Sequence, residues 1–356
     1  MKALKAFLTF LIVVVVLALL AVIVGVIFFK SSFNKTTYIG ESFSLVESLE
    51  PETYIDPEGN IQTEEQGTLP SNVEKDIQSE IEAAVSSAIE KDPVTPVNNS
   101  DVYNLLLIGV DRRNSSWYGN SDTIVLLTIN YKKETIYMTS IMRDSAANIP
   151  GVGVKKINAA CAHGGPNLLV QTVESNYGVH IDNFAMVDFD SMASIVDMVG
   201  GVSLPVTDDE ARVCNQYIAV YCTEKGILAE PHYFNGAGTY NMTGVQAVAY
   251  SRNRYSGGTY DYGRTQRQRI VLEALFNKFR TYDAKTMVEK FYQILPYLGH
   301  NLDESTVLSF AGQLTELSNF TIVQDRIPYD GYYHFEGELL VNDWGRTIDK
   351  LHQTIY

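Results

Sequence analysis

Residues 103–110 read YNLLLIGV, and residues 123–131 read TIVLLTINY. Each stretch has the length of a β-strand and is apolar on both faces, and residues 136–141 repeat the pattern after a polar turn. Strands of this kind lie inside a sheet that helices cover from both sides. Helical periodicity follows in six segments, at 166–177, 190–199, 243–251, 263–279, 284–298 and 305–317. The sequence therefore predicts a layered α/β or α+β domain.

The charge of the chain excludes one large class of function. The protein has 356 residues and a formal net charge of −15. Affinity for nucleic acid depends on lysine and arginine side chains that neutralise phosphates, so we expect no nucleic-acid partner. The acidity is concentrated in residues 31–100, which hold 14 acidic residues against Lys35, Lys75 and Lys91.

The segment before the globular body is predicted to be a stalk. Residues 30–100 are rich in polar residues and show little sustained periodicity, which is typical of an extended, acidic spacer. Within it, apolar residues recur every four positions and predict a short amphipathic helix at 72–91 that ends before Pro93. The globular body is expected at 101–356.

A membrane helix is predicted near the N-terminus. Residues 7–29 carry no charge, and a helix of that length, at ~1.5 Å per residue, spans the ~30 Å hydrocarbon core. The stretch is longer than the apolar region of a cleaved signal peptide, which is about 7–15 residues. Lysines on the two sides of the span are nearly balanced, but the acidic segment and long body that follow favour translocation. We therefore expect a single-pass protein with residues 1–6 in the cytoplasm.

Cysteine and histidine give few functional signals. Cys214 and Cys222 are eight residues apart, and a disulfide between them is a hypothesis for an extracytoplasmic body, with Cys161 left free. No spacing of His and Cys predicts a zinc site. The sequence contains neither G-x-S-x-G nor G-x-x-x-x-G-K-[ST], which disfavours serine hydrolases and P-loop NTPases.

Arginine placement predicts an anionic ligand. Arg252 and Arg254 are two residues apart, so their side chains share a face of an extended segment. Asp261, Arg264 and Gln268 are spaced three and four apart at the start of a predicted helix, where backbone N–H groups also favour an anion. Guanidinium groups bind phosphate oxygens two at a time, so converging arginines suit a diphosphate. A surface salt-bridge network is the alternative. The five arginines that fall within 18 residues are Arg252, Arg254, Arg264, Arg267 and Arg269.

Acidic and basic residues also stand at the ends of the predicted strands. Asp111 follows the first strand, Asp122 begins the second, and Arg143 follows the third. Ligands of open α/β sheets collect at strand ends, and carboxylates beside a diphosphate favour Mg²⁺. A turn or cap role is the alternative for each Asp. Lys156 could neutralise a phosphate or be solvated.

Several of these motifs occur together in a fixed order. They are LLLIGVD, SDT, SIMRDS, KINAA, VDF, VGGV, GVQAVAYSRNR and DYGRTQRQ, within residues 101–281. In this order they resemble the LytR-CpsA-Psr family, and the resemblance covers about half of the chain.

The resemblance implies an enzyme of bacterial cell wall assembly. Such a phosphotransferase moves an anionic or capsular glycopolymer, for example teichoic acid, from a polyprenyl-pyrophosphate carrier to the muramic acid 6-hydroxyl of peptidoglycan. It implies an α/β/α fold in which a central mixed sheet is flanked by helices and a hydrophobic tunnel holds the polyprenyl tail. It also implies a location in the bacterial cell membrane with an extracytoplasmic catalytic domain. The implied cofactor is Mg²⁺, with Mn²⁺ as a substitute.

The family motifs also assign expected roles to residues. Asp111 and Asp122 are expected to bind the metal. Arg143, Asp122 and Asp261 are expected to take part in the chemistry, and either Asp122 or Asp261 accepts the proton of the attacking hydroxyl. Asn120 departs from the family, many members of which have Arg before Ser-Asp. The residues expected to bind the pyrophosphate, from the family motifs and the arginine pattern together, are Arg143, Lys156, Arg252, Arg254, Arg264, Arg267 and Gln268.

Two other functions remain open. A phosphatase acting on the same lipid would release product without a glycan acceptor. A polyprenyl-phosphate-binding scaffold or envelope regulator would bind the lipid without turnover, and Asn120 is the residue that favours it.

Overall fold

A seven-stranded sheet forms the centre of the molecule. The structure, a computed structural model, describes residues 29–31, 33–40, 45, 52–55, 61–64, 79, 83, 96–110, 118–336 and 339–356. The strands of the sheet are ordered β1-β12-β9-β4-β5-β6-β13. They are β1 Thr37–Tyr38, β4 Val102–Val110, β5 Ser121–Asn130, β6 Thr135–Ile141, β9 Asn183–Asp188, β12 Gly299–His300 and β13 Thr321–Ile327.

Both strand directions occur in this sheet. The pairs β1–β12, β4–β9 and β6–β13 are parallel, whereas β12–β9, β4–β5 and β5–β6 are antiparallel. This confirms the predicted α/β architecture with a central mixed sheet. The remaining strands form four antiparallel two-stranded sheets: β2 Glu52–Ile55 with β3 Ile61–Glu64, β7 Ala146–Ile149 with β8 Gly153–Lys156, β10 Val202–Val206 with β11 Gly238–Met242, and β14 Tyr333–Glu336 with β15 Leu339–Asn342.

Helices cover both faces of the sheet, as the apolar strands predict. On one face, Leu106 and Leu126 are fully buried in a core that includes Leu169 and Leu351 from the covering helices. On the other face, Ile129 packs in a cluster with helix residues of the C-terminal half. The helices are α1 Ala159–Tyr177, α2 Phe189–Met198, α3 Asp208–Lys225, α4 Gly244–Arg252, α5 Tyr260–Phe279, α6 Ala284–Ile294, α7 Glu304–Leu317 and α8 Trp344–Ile355.

The helix α3 was not among the predicted segments, and it corrects the disulfide hypothesis. Its N-terminus is fixed by a capping box in which Thr207 and Glu210 exchange hydrogen bonds. Cys214 and Cys222 both lie on this helix, and both thiols are free and buried. Eight residues of helix separate their backbones by about 12 Å, more than a disulfide can bridge. The hypothesis of a Cys214–Cys222 disulfide is therefore wrong.

Part of the predicted stalk packs on the body. Thr37–Tyr38 adds a parallel strand at the edge of the main sheet. Phe29, the last residue of the predicted membrane span, is also buried, and its ring lies 5.4 Å from that of Tyr292. The contacts of the body therefore begin well before residue 101. Most of the predicted helix at 72–91 lies outside the described residues, of which Ser79 and Ala83 are helical.

The predicted membrane span, residues 7–29, also lies outside the described residues except for Phe29. Within the described ranges, no helix combines the length and the apolar character that crossing a bilayer requires.

Candidate active site

Strand pairing brings the charged strand ends together. Asp122 is the second residue of β5, and Arg143 follows the end of β6. Because β5 and β6 are antiparallel neighbours, with Val125 opposite Ser140, the start of one strand lies beside the end of the other. A β-bulge between Gly109 and Val110 shapes the adjoining end of β4.

The N-terminus of α5 supplies the other half of the site. Asp261, Arg264 and Gln268 lie on one face of this helix, as their spacing predicts. Arg264 reaches both Asp122 and Asp261, and the amide of Gln268 donates to the backbone oxygen of Asp122 at 3.5 Å. Arg254 comes from the loop between α4 and α5.

Three guanidinium groups share two carboxylates. Arg143 Nη1 lies 2.6 Å from Asp122 Oδ1, and Arg143 Nε lies 3.2 Å from Asp261 Oδ2. The contacts of Arg254 with the same two residues are 3.8 and 3.5 Å. Those of Arg264 are 3.5 and 3.3 Å. We call these five residues the shared cluster; its cations outnumber its carboxylates.

The charges of the shared cluster shift the pKa values of its own members. Burial raises the pKa of both Asp122 and Asp261, but the charges of Arg143, Arg254 and Arg264 outweigh it and hold each pKa well below its usual range. Burial and the two neighbouring guanidinium groups lower the pKa of Arg264 to about 10. Arg264 remains charged at neutral pH, although only 2% of it is exposed. Its Nε has no hydrogen-bond acceptor among the described residues.

A further carboxyl group adjoins the shared cluster. Asp144 lies 3.7 Å from Arg143 Nε and 3.3 Å from Lys156 Nζ. Burial raises its pKa, and its hydrogen bond with Asp261 acts in the same direction, against the charges of Arg143 and Lys156. Lys156, a predicted site residue, therefore contacts the site through Asp144. The sequence analysis assigned no role to Asp144.

Two of the predicted arginines have other surroundings. Arg252 ends α4, and its guanidinium lies 4.3 Å from the ring centroid of Phe189. The prediction that Arg252 and Arg254 share a face of an extended segment is therefore wrong, because helix α4 continues to Arg252. Arg267 bonds Glu210 Oε1 at 3.0 Å and Ser256 Oγ at 2.6 Å, which anchors the loop that carries Arg254.

The predicted metal ligands are Asp111 and Asp122. Asp111 lies outside the described residues. Within the described ranges, no group of three or more His, Cys, Asp or Glu side chains could hold a metal ion. Of the two predicted ligands, Asp122 is described, and its ionised carboxylate fits a Mg²⁺ ion whose other ligands are phosphate oxygens.

Asn120, two residues before Asp122 in the chain, is buried. Its Oδ1 has no hydrogen-bond donor among the described residues. A buried oxygen of this kind is a position where a donor group of a ligand would be stabilised.

Apolar side chains remain partly exposed on one side of the shared cluster. Leu105 and Leu107 alternate with the buried residues of β4 and point to the opposite face of the sheet. Val187 and Phe189, at the end of the neighbouring β9 and the start of α2, are also partly exposed. The site thus combines a cationic centre with an adjoining apolar face.

Comparison with known proteins places this arrangement in a family. The model of the LytR_cpsA_psr family matches residues 69–351, most of the chain. Biofilm regulatory protein A of Streptococcus mutans is 30% identical over 260 residues, which are 69% of this chain and 58% of that protein. Polyisoprenyl-teichoic acid--peptidoglycan teichoic acid transferase TagU of Oceanobacillus iheyensis is 33% identical over 233 residues, 64% of this chain and 65% of that protein. The chain spans about six tenths of the length of these relatives.

The solved structures agree with the fold. TagT (YwtF) of Bacillus subtilis, a LytR-CPS2A-psr family protein with bound octaprenyl pyrophosphate lipid, superimposes with a TM-score of 0.51 at 26% identity. The match covers 72% of this chain and 90% of that one.

Proposed function

The chain belongs to the LytR-CpsA-Psr family, and from this premise we propose that it transfers an anionic or capsular glycopolymer from a polyprenyl-pyrophosphate carrier to peptidoglycan. The observation that carries the proposal is the shared cluster, in which three guanidinium groups form ion pairs with the same two carboxylates. The names of TagU and of lipid-bound TagT support the substrate class.

The diphosphate would take over contacts that the carboxylates now make. Phosphate oxygens carry more charge than one carboxylate and accept from guanidinium groups in pairs. Arg264 Nε already lacks an acceptor among the described residues, so a phosphate oxygen there would satisfy a buried donor. The partly exposed side chains of Leu105 and Leu107, on the strand that pairs with that of Asp122, give the polyprenyl chain an apolar surface.

The reaction forms one bond and breaks another. A hydroxyl oxygen of peptidoglycan, the muramic acid 6-hydroxyl in the family, bonds to the phosphorus that carries the glycan. The bond from that phosphorus to the bridging oxygen breaks, and polyprenyl phosphate leaves with the electron pair. Arg143, Arg254 and Arg264 neutralise the charge that develops on the phosphoryl oxygens.

Asp122 or Asp261 receives the proton of the attacking hydroxyl. In the shared cluster both are weak bases, because guanidinium groups lower their pKa values. Once the diphosphate takes over those guanidinium contacts, the pKa of each carboxyl rises and the group becomes a better base. Substrate binding thereby prepares the base.

Mg²⁺ completes the proposal as the cofactor, with Mn²⁺ as a substitute. Asp122, together with Asp111, would hold it, and the ion would supply further positive charge to the diphosphate.

A membrane location suits such a substrate, because the polyprenyl carrier stays in the bilayer. We propose that residues 7–29 span the cell membrane once, with the N-terminus in the cytoplasm and the body outside it.

The test uses the full-length protein in detergent with a polyprenyl-pyrophosphate-linked oligosaccharide, uncrosslinked peptidoglycan and Mg²⁺. Mass spectrometry should detect a phosphodiester-linked product that disappears in Arg254→Ala and persists in Arg212→Ala, whose arginine is exposed on α3. Hydrolysis without transfer would instead identify a phosphatase. Lipid binding without turnover would identify a scaffold, and either outcome would overturn the proposal.

A further inference from the structure

Aromatic side chains line the other side of the shared cluster. Tyr262 follows Asp261 on α5, and its hydroxyl lies 2.6 Å from that of Tyr333 on β14. The ring of Tyr333 lies 5.8 Å from that of Phe335, which is 59% exposed. We call these three residues the aromatic surface.

The backbone holds this surface next to the catalytic groups. Tyr333 and Phe335 are two residues apart on one strand, so their side chains leave the same face. The guanidinium of Arg326, near the end of β13, lies 4.6 Å from the ring centroid of Tyr262 and bonds Asp330 at 2.5 Å. Strand β13 pairs with β6, which leads directly into Arg143.

The aromatic surface and the apolar face lie on opposite sides of the cluster. The sheet order β9-β4-β5-β6-β13 puts Leu107 on β4, Asp122 on β5, and the aromatic surface beside β13. Three strand spacings, roughly 14 Å, separate β4 from β13. A molecule that crosses the cluster from one side to the other therefore passes from an apolar to an aromatic and polar environment.

The geometry of in-line phosphoryl transfer relates the two sides of the cluster to the leaving group and the attacking group. The attacking and leaving oxygens lie on opposite sides of the transferring phosphorus. If the leaving polyprenyl phosphate lies toward β4 and β9, the attacking hydroxyl enters from the side of β13. Tyrosine and phenylalanine rings offer flat apolar faces to the C–H faces of sugar rings, while tyrosine hydroxyls bond sugar hydroxyls.

We propose that Tyr262, Tyr333 and Phe335 bind the acceptor, a glycan strand of peptidoglycan, and direct one of its hydroxyls at the phosphorus. This inference rests on the proposed transferase function. The surface is assigned to the acceptor and not to the glycan of the donor, because the donor glycan is attached to the transferring phosphoryl group itself.

The test measures transfer by the full-length protein in detergent at varied acceptor concentration. Phe335→Ala should raise the acceptor KM about 5- to 10-fold, the equivalent of one lost aromatic contact, with an unchanged KM for the lipid donor. Phe335→Trp keeps a ring at the position and should restore the acceptor KM. Tyr297→Ala, which removes an exposed tyrosine elsewhere, should leave both values unchanged.

The outcomes separate this inference from the proposed function. Wild-type transfer with an unchanged acceptor KM in both Phe335→Ala and Tyr333→Ala would overturn the acceptor site and leave the transferase intact. A rise in the donor KM instead would assign the surface to the donor glycan and also overturn the inference. Absence of transfer by the wild-type protein would overturn the transferase proposal, and with it this inference.

Discussion

Arg264 and Arg267 lie three residues apart on α5, are both buried, and have opposite surroundings. Arg264 shares Asp122 and Asp261 with two other arginines at 3.3–3.5 Å. Arg267 has Glu210 at 3.0 Å and also bonds Ser256 Oγ at 2.6 Å. Guanidinium groups that share acceptors can redirect their hydrogen bonds to a ligand. A guanidinium group whose donors all have partners within the protein instead stabilises the fold.

The largest expected effect concerns Arg267. Its replacement by Ala removes the ionic partner of the partly buried Glu210 and the bond to Ser256 Oγ, and should cost about 3 kcal/mol of unfolding free energy. Chemical denaturation monitored by circular dichroism measures it. As a control, Arg212→Ala removes an exposed arginine and should change the free energy of unfolding by less than about 1 kcal/mol. An Arg267→Ala variant as stable as the wild type would remove the distinction between the two arginines.

Arg264→Ala should affect activity more than stability. The loss of one of three mutually repelling cations offsets part of the cost of the cavity that the truncated side chain leaves, so the free energy of unfolding should fall less than in Arg267→Ala. The rate of transfer should fall about 10²–10³-fold, as for the loss of one donor to a developing anion. Steady-state transfer kinetics together with a denaturation curve provide the check. Severe destabilisation with normal activity in the folded fraction would contradict this assignment.

The carboxylates of the shared cluster should link stability to pH. Asp122 and Asp261 have lowered pKa values in the folded state, so their stabilising contribution is present above the usual carboxyl pKa of 3.8 and is lost as pH falls through the lower folded values. Asp261→Asn should therefore be less stable than the wild type at neutral pH, and the difference should shrink in strong acid. Thermal melts across this range measure it.

Thermal melts in the presence of inorganic pyrophosphate test whether the cluster binds a diphosphate. It should raise the melting temperature of Asp261→Asn more than that of the wild type, because it replaces the missing negative charge. Arg264→Ala serves as the control and should respond least. An equal response of all three proteins would mean that pyrophosphate binds elsewhere.

The smallest effect is expected for Asp144. Burial raises its pKa, so the fold favours the protonated form, and the stability gained from that form is lost as pH rises through the raised pKa. Asp144→Asn retains a neutral side chain of the same shape. Transfer at low pH should be close to that of the wild type, and a pH–rate profile would detect a difference only at higher pH.

Parts of this arrangement follow from sequence alone. Strands β4 and β5 are visible because they are apolar on both faces. The spacing of Asp261, Arg264 and Gln268 predicts a common helix face, which the structure confirms.

Other parts depend on contacts that are distant in sequence. Nothing local distinguishes Arg267 from Arg264, because its partner Glu210 lies 57 residues away on a helix that the pattern did not predict. Because this helix was not predicted, Cys214 and Cys222 were open to interpretation as a disulfide pair. Asp144 is present in the SIMRDS motif, but its environment depends on Lys156, which the β7–β8 hairpin brings back to it.

Binding of the lipid diphosphate tests the central claim most directly. Isothermal titration calorimetry of the full-length protein in detergent would compare polyprenyl pyrophosphate binding to the wild type, Arg264→Ala, and Arg212→Ala, whose arginine is exposed on α3. The account predicts that Arg264→Ala weakens binding at least about tenfold, or ~1.4 kcal/mol, while Arg212→Ala keeps wild-type affinity. Undiminished affinity in Arg264→Ala would contradict it.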